Sequence, residues 1–138
     1  MTDYEKYIEQ IGLTEDQVQL LVNLDNVIEL DSDNYYKAKS NIHGLGIFAS
    51  RKIKSGEVIG DVFANNYRTP LGRWVNHCKN KNARFYRVNN NLIAIAQKNI
   101  NKDQEILVDY RDHTLNDPNF IKNINEWKSL ILDLNHNP

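Results

Sequence analysis

Cysteine is nearly absent from this chain: Cys78 stands alone, so it has no internal disulfide partner and cannot by itself build a zinc cluster. Long apolar runs are missing too. No stretch approaches the roughly 18 residues that a membrane-spanning helix needs, so no membrane partner is expected. The opening residues, Met1-Thr2-Asp3-Tyr4-Glu5, are acidic where a secretory leader would be basic and then apolar. An intracellular, cytoplasmic setting is the expectation. Of 138 residues, 41% are hydrophobic and 25% charged, which fits one folded domain and excludes a disordered tail.

Charge is present in both signs but segregated. Residues 1–33 hold nine acids and one base, residues 34–108 thirteen bases and four acids, and residues 109–138 five acids and three bases. Such a split points to a function in the basic middle, or to an acidic arm packing on it. Twenty asparagines, some clustered as in Asn89-Asn90-Asn91, reflect AT-rich codons, with viral or phage origin (and a host cytoplasm) one option.

Three zones follow along the single domain: a helical extension over 1–26, a β-rich core over 27–112 and a C-terminal helix over 113–138. In the first, Tyr4, Tyr7, Ile8 and Ile11 share a stripe that Gly12 ends, and Thr14 to Gln17 forms a capping-box pattern before a second helix. This pair reads as a lid packed on the domain. In the core, Val27–Leu30, Tyr35–Lys39, Leu92–Ala96 and Glu105–Tyr110 read as strands, punctuated by Gly44, Gly46, Gly56, Gly60 and Gly72. No long helix separates them, which favours antiparallel pairing over βαβ units. In the last zone Asp117 caps a helix whose stripe includes Phe120, Ile124, Trp127 and Leu130.

Three segments can carry chemistry. Gly44-Leu45-Gly46-Ile47-Phe48-Ala49 formally matches a dinucleotide fingerprint, but the residues up to Gly56 leave no room for the crossover helix. A tight hairpin is the plain reading, and its glycines still let backbone approach a ligand. Arg73-Trp74-Val75-Asn76-His77-Cys78 runs into a basic loop ending at Asn82. Asn76 and His77 offer directed donors and acceptors, and adjacent His77 and Cys78 rarely reach one ion, so no metal site is expected. Asp103 to Tyr110 reads as an acidic turn and a strand ending in Asp109-Tyr110.

Taken in order, these segments resemble the SET-domain protein-lysine methyltransferases from about Ser40 to Tyr110. Ser40–Ala49 looks like the family's opening segment and Ile53–Ile59 like its lysine-glycine-glutamate turn. Asn76-His77 with Asn82 looks like its Asn-His centre, and Ala94–Ile100 with Glu105-Ile106 and Asp109-Tyr110 like its closing segment. The resemblance implies a mainly β fold with flanking helices, a β-clip of small sheets with a pseudoknot where the Asn-His segment threads beneath the closing segment. It implies S-adenosyl-L-methionine as cofactor and a protein carrying a target lysine as partner. By position, Gly44, Leu45, Gly46, Arg73, Asn76 and His77 would bind the cofactor, and Tyr110 would be the catalytic tyrosine. Tyr67, Phe85 and Tyr86 are candidates for the wall of the substrate channel.

The departures are specific. Cys78, Lys79 and Lys81 replace the family's Ser, Cys and Pro; no cysteine cluster follows Tyr110; and only 26 residues separate Gly46 from Arg73. The C-terminal helix would then close the side left by the missing zinc segment, with Phe120 or Trp127 against the site. The alternative function is a catalytically inactive SET-like binding or assembly module. A nucleic-acid surface on the basic core is the minor third option, predicting salt-sensitive binding indifferent to Asn76→Ala. Oligomeric state is left open.

Overall fold

Capping chemistry sets both N-terminal helices. In the computed structural model, which describes residues 2–22, 27–28, 30–65, 67–89, 91–113 and 125, α1 spans Asp3–Ile11 and α2 Glu15–Val22. The Thr2 hydroxyl accepts from the Glu5 amide at 3.1 Å, and Gly12 ends α1 at φ 73°. Thr14 and Gln17 bond reciprocally, each side chain accepting from the other's amide, as the capping-box pattern predicts. The expected stripe is buried: Tyr7, Ile8, Ile11 and Leu13 form a small core with Tyr4, Val18 and Tyr110 packed against it.

Eight strands follow: β1 (Tyr35–Lys39), β2 (Leu45–Ala49), β3 (Val58–Ala64), β4 (Tyr67–Arg68), β5 (Asn76–His77), β6 (Ala83–Val88), β7 (Asn91–Ala96) and β8 (Glu105–Val108). A short helix, α3 (Pro70–Trp74), lies between β4 and β5, capped by Thr69, whose hydroxyl accepts from the Gly72 amide. The strands form two four-stranded sheets, ordered β1-β2-β8-β5 and β4-β3-β7-β6. Ile47, Ile53, Ile59, Leu71, Ile100, Ile106 and Val108 fill the main core between them and are fully buried. At about 1.5–3 kcal/mol for each such side chain, this burial is the chief term holding the sheets together.

Pairing is antiparallel except between β5 and β8, which run parallel with Asn76 opposite Leu107 and His77 opposite Val108. The segment leaving β5 stays along β8. The Cys78 and Asn82 amides donate to the Val108 and Leu107 carbonyls. The Asn82 side chain accepts from the Leu107 amide at 2.8 Å and donates to the Glu105 carbonyl at 2.9 Å. This is a mostly β arrangement of small sheets, and the 76–82 segment lies against the closing strand as the resemblance implies.

Two expectations change. Of the strand expected at Val27–Leu30, the described residues Val27, Ile28 and Leu30 show only an isolated parallel bridge from Val27 to Arg68, because β4, its partner, is two residues long. β8 ends at Val108, and Tyr110–His113 turns into a 3-10 helix because the Tyr110 amide bonds the His77 ring in place of a ladder partner. In β7 only Ala94 and Ala96 are fully buried, since one face of its sheet is open to water. The helix expected from Asp117 onward, with Phe120 and Trp127, lies outside the described residues, Asn125 apart. Among the described residues, no helix is long and apolar enough to cross a membrane.

Candidate active site

The hairpin between β1 and β2 is tied to β5 and β8 by one buried polar cluster. The Ser40 hydroxyl accepts from the amides of Ile42 and His43 and donates to the Glu105 carboxylate at 2.8 Å. The Asn76 amide group donates to the His43 carbonyl (3.0 Å), the Leu45 carbonyl (3.2 Å) and Glu105 Oε2 (2.9 Å). Two hydrogens are thus shared among three acceptors. Ser40 and Asn76 are buried, so each lost partner would leave a polar group unsatisfied.

The two hairpin glycines do different work. A Cβ on Gly46 would stand 2.5 Å from Glu105 Oε2, 3.0 Å from Ser40 Cβ and 3.1 Å from Asn76 Nδ2. Its bare Cα is what lets the cluster close. Gly44 has φ 45° with no atom within 4 Å of where a Cβ would be, so its backbone is open. It supplies the left-handed turn and leaves an accessible main-chain face.

β5 and the 3-10 turn bring His77 and Tyr110 together. The Tyr110 amide donates to His77 Nδ1 at 2.9 Å, and the Tyr110 hydroxyl donates to the Val75 carbonyl at 2.5 Å. An accepting Nδ1 requires neutral His77 with its proton on Nε2. Burial is the main cause holding His77 below the usual histidine range; the Arg111 charge adds to it, while Asp109, Asp3 and Asp112 oppose it. Burial likewise pushes the Tyr110 phenol well above its ordinary value, with Tyr7 adding and the charges of Arg68 and Arg73 opposing. Tyr110 is therefore a protonated donor at neutral pH.

Helix α1 lies over this pair. Tyr7 stacks on the His77 ring (centroids 5.3 Å apart) and meets Tyr110 edge-on at 5.3 Å. Tyr4 stacks on the His43 ring at 5.7 Å and meets Tyr110 edge-on at 6.3 Å. Asp3 Oδ2 accepts from the Lys79 amide at 3.0 Å and lies 3.9 Å from Cys78 Sγ.

The structure brings Gly44, Leu45, Gly46, Asn76, His77 and Tyr110 into one region. Arg73, in the last turn of α3, sits over the Trp74 ring at 5.3 Å, with its charge felt at Tyr110. Phe85 and Tyr86 are neighbours in β6 and so face opposite sides of the sheet. Phe85 is buried in the main core; Tyr86 is exposed and its hydroxyl accepts from Gln97. Tyr67 is exposed on β4. The rings around Tyr110 include Tyr4 and Tyr7, which helical periodicity marks only as a packing face, and the Val75 carbonyl carries no signal in sequence.

Comparison with known proteins gives one family match and several similar solved structures. Residues 62–111 match the SET domain family model. No curated protein matches the chain. Among solved structures, a Plasmodium falciparum candidate histone methyltransferase is 29% identical, over 58% of this chain and 95% of that one, with a TM-score of 0.47. The structure of ctPRC2 in complex with H3K27me3 and H3K27M is 19% identical over 62% of this chain, with a TM-score of 0.50, although this chain spans only 15% of that one. The methyltransferase domain of human PR domain-containing protein 2 is 16% identical, over 56% of this chain and 77% of that one, at a TM-score of 0.46. The matched segment contains Arg73, Asn76, His77, Glu105 and Tyr110. The match to the SET domain family model thus covers residues 62–111, the segment that holds the paired strands β5 and β8.

Proposed function

We propose that this chain transfers a methyl group from S-adenosylmethionine to the side-chain amine of a protein lysine. The observation that carries the reading is the Tyr110 hydroxyl held on the Val75 carbonyl, one residue before Asn76 and His77. The residues present suit the cofactor. Gly44 offers an open main-chain face, and Asn76 fixes the carbonyls on either side of it. The backbones of Gly44 and Leu45, held by Asn76, would bind the cofactor together with that of His77, with Arg73 nearby.

When bound, S-adenosylmethionine supplies a methyl already activated on sulfonium, so the chain need provide no nucleophile of its own. What the chain must do is deliver a neutral amine in line. A free lysine titrates near about 10.4, and desolvation lowers that value. The positive charges of Arg68 and Arg73 near Tyr110 push in the same direction. The Tyr110 oxygen, whose proton bonds the Val75 carbonyl, would accept an N–H from the incoming amine and so aim its nitrogen lone pair. Main-chain carbonyls such as that of Val75 can hold a methyl by weak CH···O contacts. Near-attack positioning of this kind can remove about 7–11 kcal/mol of barrier.

The test is methyl incorporation from labelled S-adenosylmethionine into mixed core histones as a lysine-rich probe, with the modified residue identified by mass spectrometry. Label on lysine that disappears in Tyr110→Phe is expected. Equal labelling by Tyr110→Phe would contradict the assigned role.

A further inference from the structure

We propose that α1 is an acidic cover that rests on the Tyr110 site and must lift before the cofactor can enter, an inference that builds on the methyl-transfer reading. The contacts converge on the residues assigned to cofactor and transfer. One helix places Tyr4 on His43, Tyr7 on His77 and both rings against Tyr110. His43 and His77 flank the two main-chain segments given to the cofactor, so α1 occupies the faces beside them.

The way α1 is attached suits a movable part. Side chains make the attachment: Asp3 accepts from the Lys79 amide at 3.0 Å, and Gln10 accepts from Arg111 Nε at 2.6 Å. Val18 of α2 packs against the small core of Tyr7, Ile8, Ile11 and Leu13, so the helix pair carries part of its own packing with it. Charge favours the seated state, because the Lys79 amide and then the Lys79 charge hold Asp3 of α1 below the usual carboxylate range. Attraction of this exposed kind weakens with salt.

Asp3 and Cys78 permit a direct test. Their side chains approach to 3.9 Å, and Cys78 is the sole cysteine, so Asp3→Cys creates one possible disulfide that pins α1 down. The oxidised full-length variant should bind S-adenosylhomocysteine at least tenfold more weakly by calorimetry than the same protein reduced, while oxidation leaves the wild type unchanged. Asp3→Lys, which loosens the seat without touching the small core, should speed alkylation of Cys78 severalfold and tighten S-adenosylhomocysteine binding. Equal or tighter binding by the locked form overturns the cover, as does a variant whose two thiols both stay free under oxidant. If no form binds S-adenosylhomocysteine but Asp3→Lys still unmasks Cys78, the moving helix stands and the methyl-transfer reading falls.

Discussion

The hydroxyl of Tyr110 donates to the carbonyl of Val75 at 2.5 Å, joining two residues 35 positions apart in the chain. Tyr110→Phe removes that bond and keeps the ring contacts with Tyr4, Tyr7 and His77. Loss of one hydrogen bond costs about 0.5–1.5 kcal/mol of stability, readable by urea unfolding. Methyl transfer should fall far more, by about 100-fold, because misplacing the amine by about 1 Å costs that much.

Gly44→Ala and Gly46→Ala should separate two roles in one hairpin. At Gly46 the new methyl meets Glu105 at 2.5 Å, so overpacking should cost about 1–3 kcal/mol of stability. At Gly44 there is room, and only the strain of φ 45° remains, about 1 kcal/mol. If the open face of Gly44 meets the cofactor, Gly44→Ala should weaken S-adenosylhomocysteine binding beyond its effect on stability. Denaturation and calorimetry on the same two variants give the comparison.

Asn76→Ala strips donors from His43, Leu45 and Glu105 together. A loss of about 1–3 kcal/mol is expected for the unsatisfied buried acceptors. Ser40→Ala acts on the same carboxylate. The double variant should therefore depart from additivity by about 0.5 kcal/mol or more in a mutant cycle. Strict additivity would mean the cluster does not act as one unit.

His77 gives stability a pH dependence of definite sign. Its folded value lies below the ordinary 6.5 because burial disfavours the charged ring. Above about pH 6.5 both folded and unfolded histidine are neutral and the group contributes no change. As pH falls from there toward the lowered folded value, the unfolded chain takes up the proton first, so stability drops. Protonation also removes the acceptor for the Tyr110 amide. Denaturation midpoints between pH 7.5 and 5 should fall for the wild type, and less steeply for His77→Gln.

Much of this arrangement is legible in the residues, and what is not has a physical reason. Thr14 and Gln17 announce their capping box because its bonds are local. Asn76 and His77 stand out through order and spacing. The partners of Asn76 do not: Glu105 lies 29 residues on, and only the pairing of β5 with β8 brings them together. The stripe Tyr4, Tyr7, Ile8, Ile11 reveals a buried face, but periodicity cannot say what that face covers. Phe85 and Tyr86 are both aromatic, while strand alternation sends them to opposite sides. Val27–Leu30 has strand character, yet its partner is too short to extend a ladder.

Calorimetric titration of S-adenosylhomocysteine into the wild type, Tyr110→Phe and Asp3→Lys tests the central claim most directly. One saturable site per chain is predicted in all three, tightest in Asp3→Lys and kept in Tyr110→Phe, whose hydroxyl serves transfer and not binding. Absence of saturable binding in all three would contradict the assignment of this site to methyl transfer.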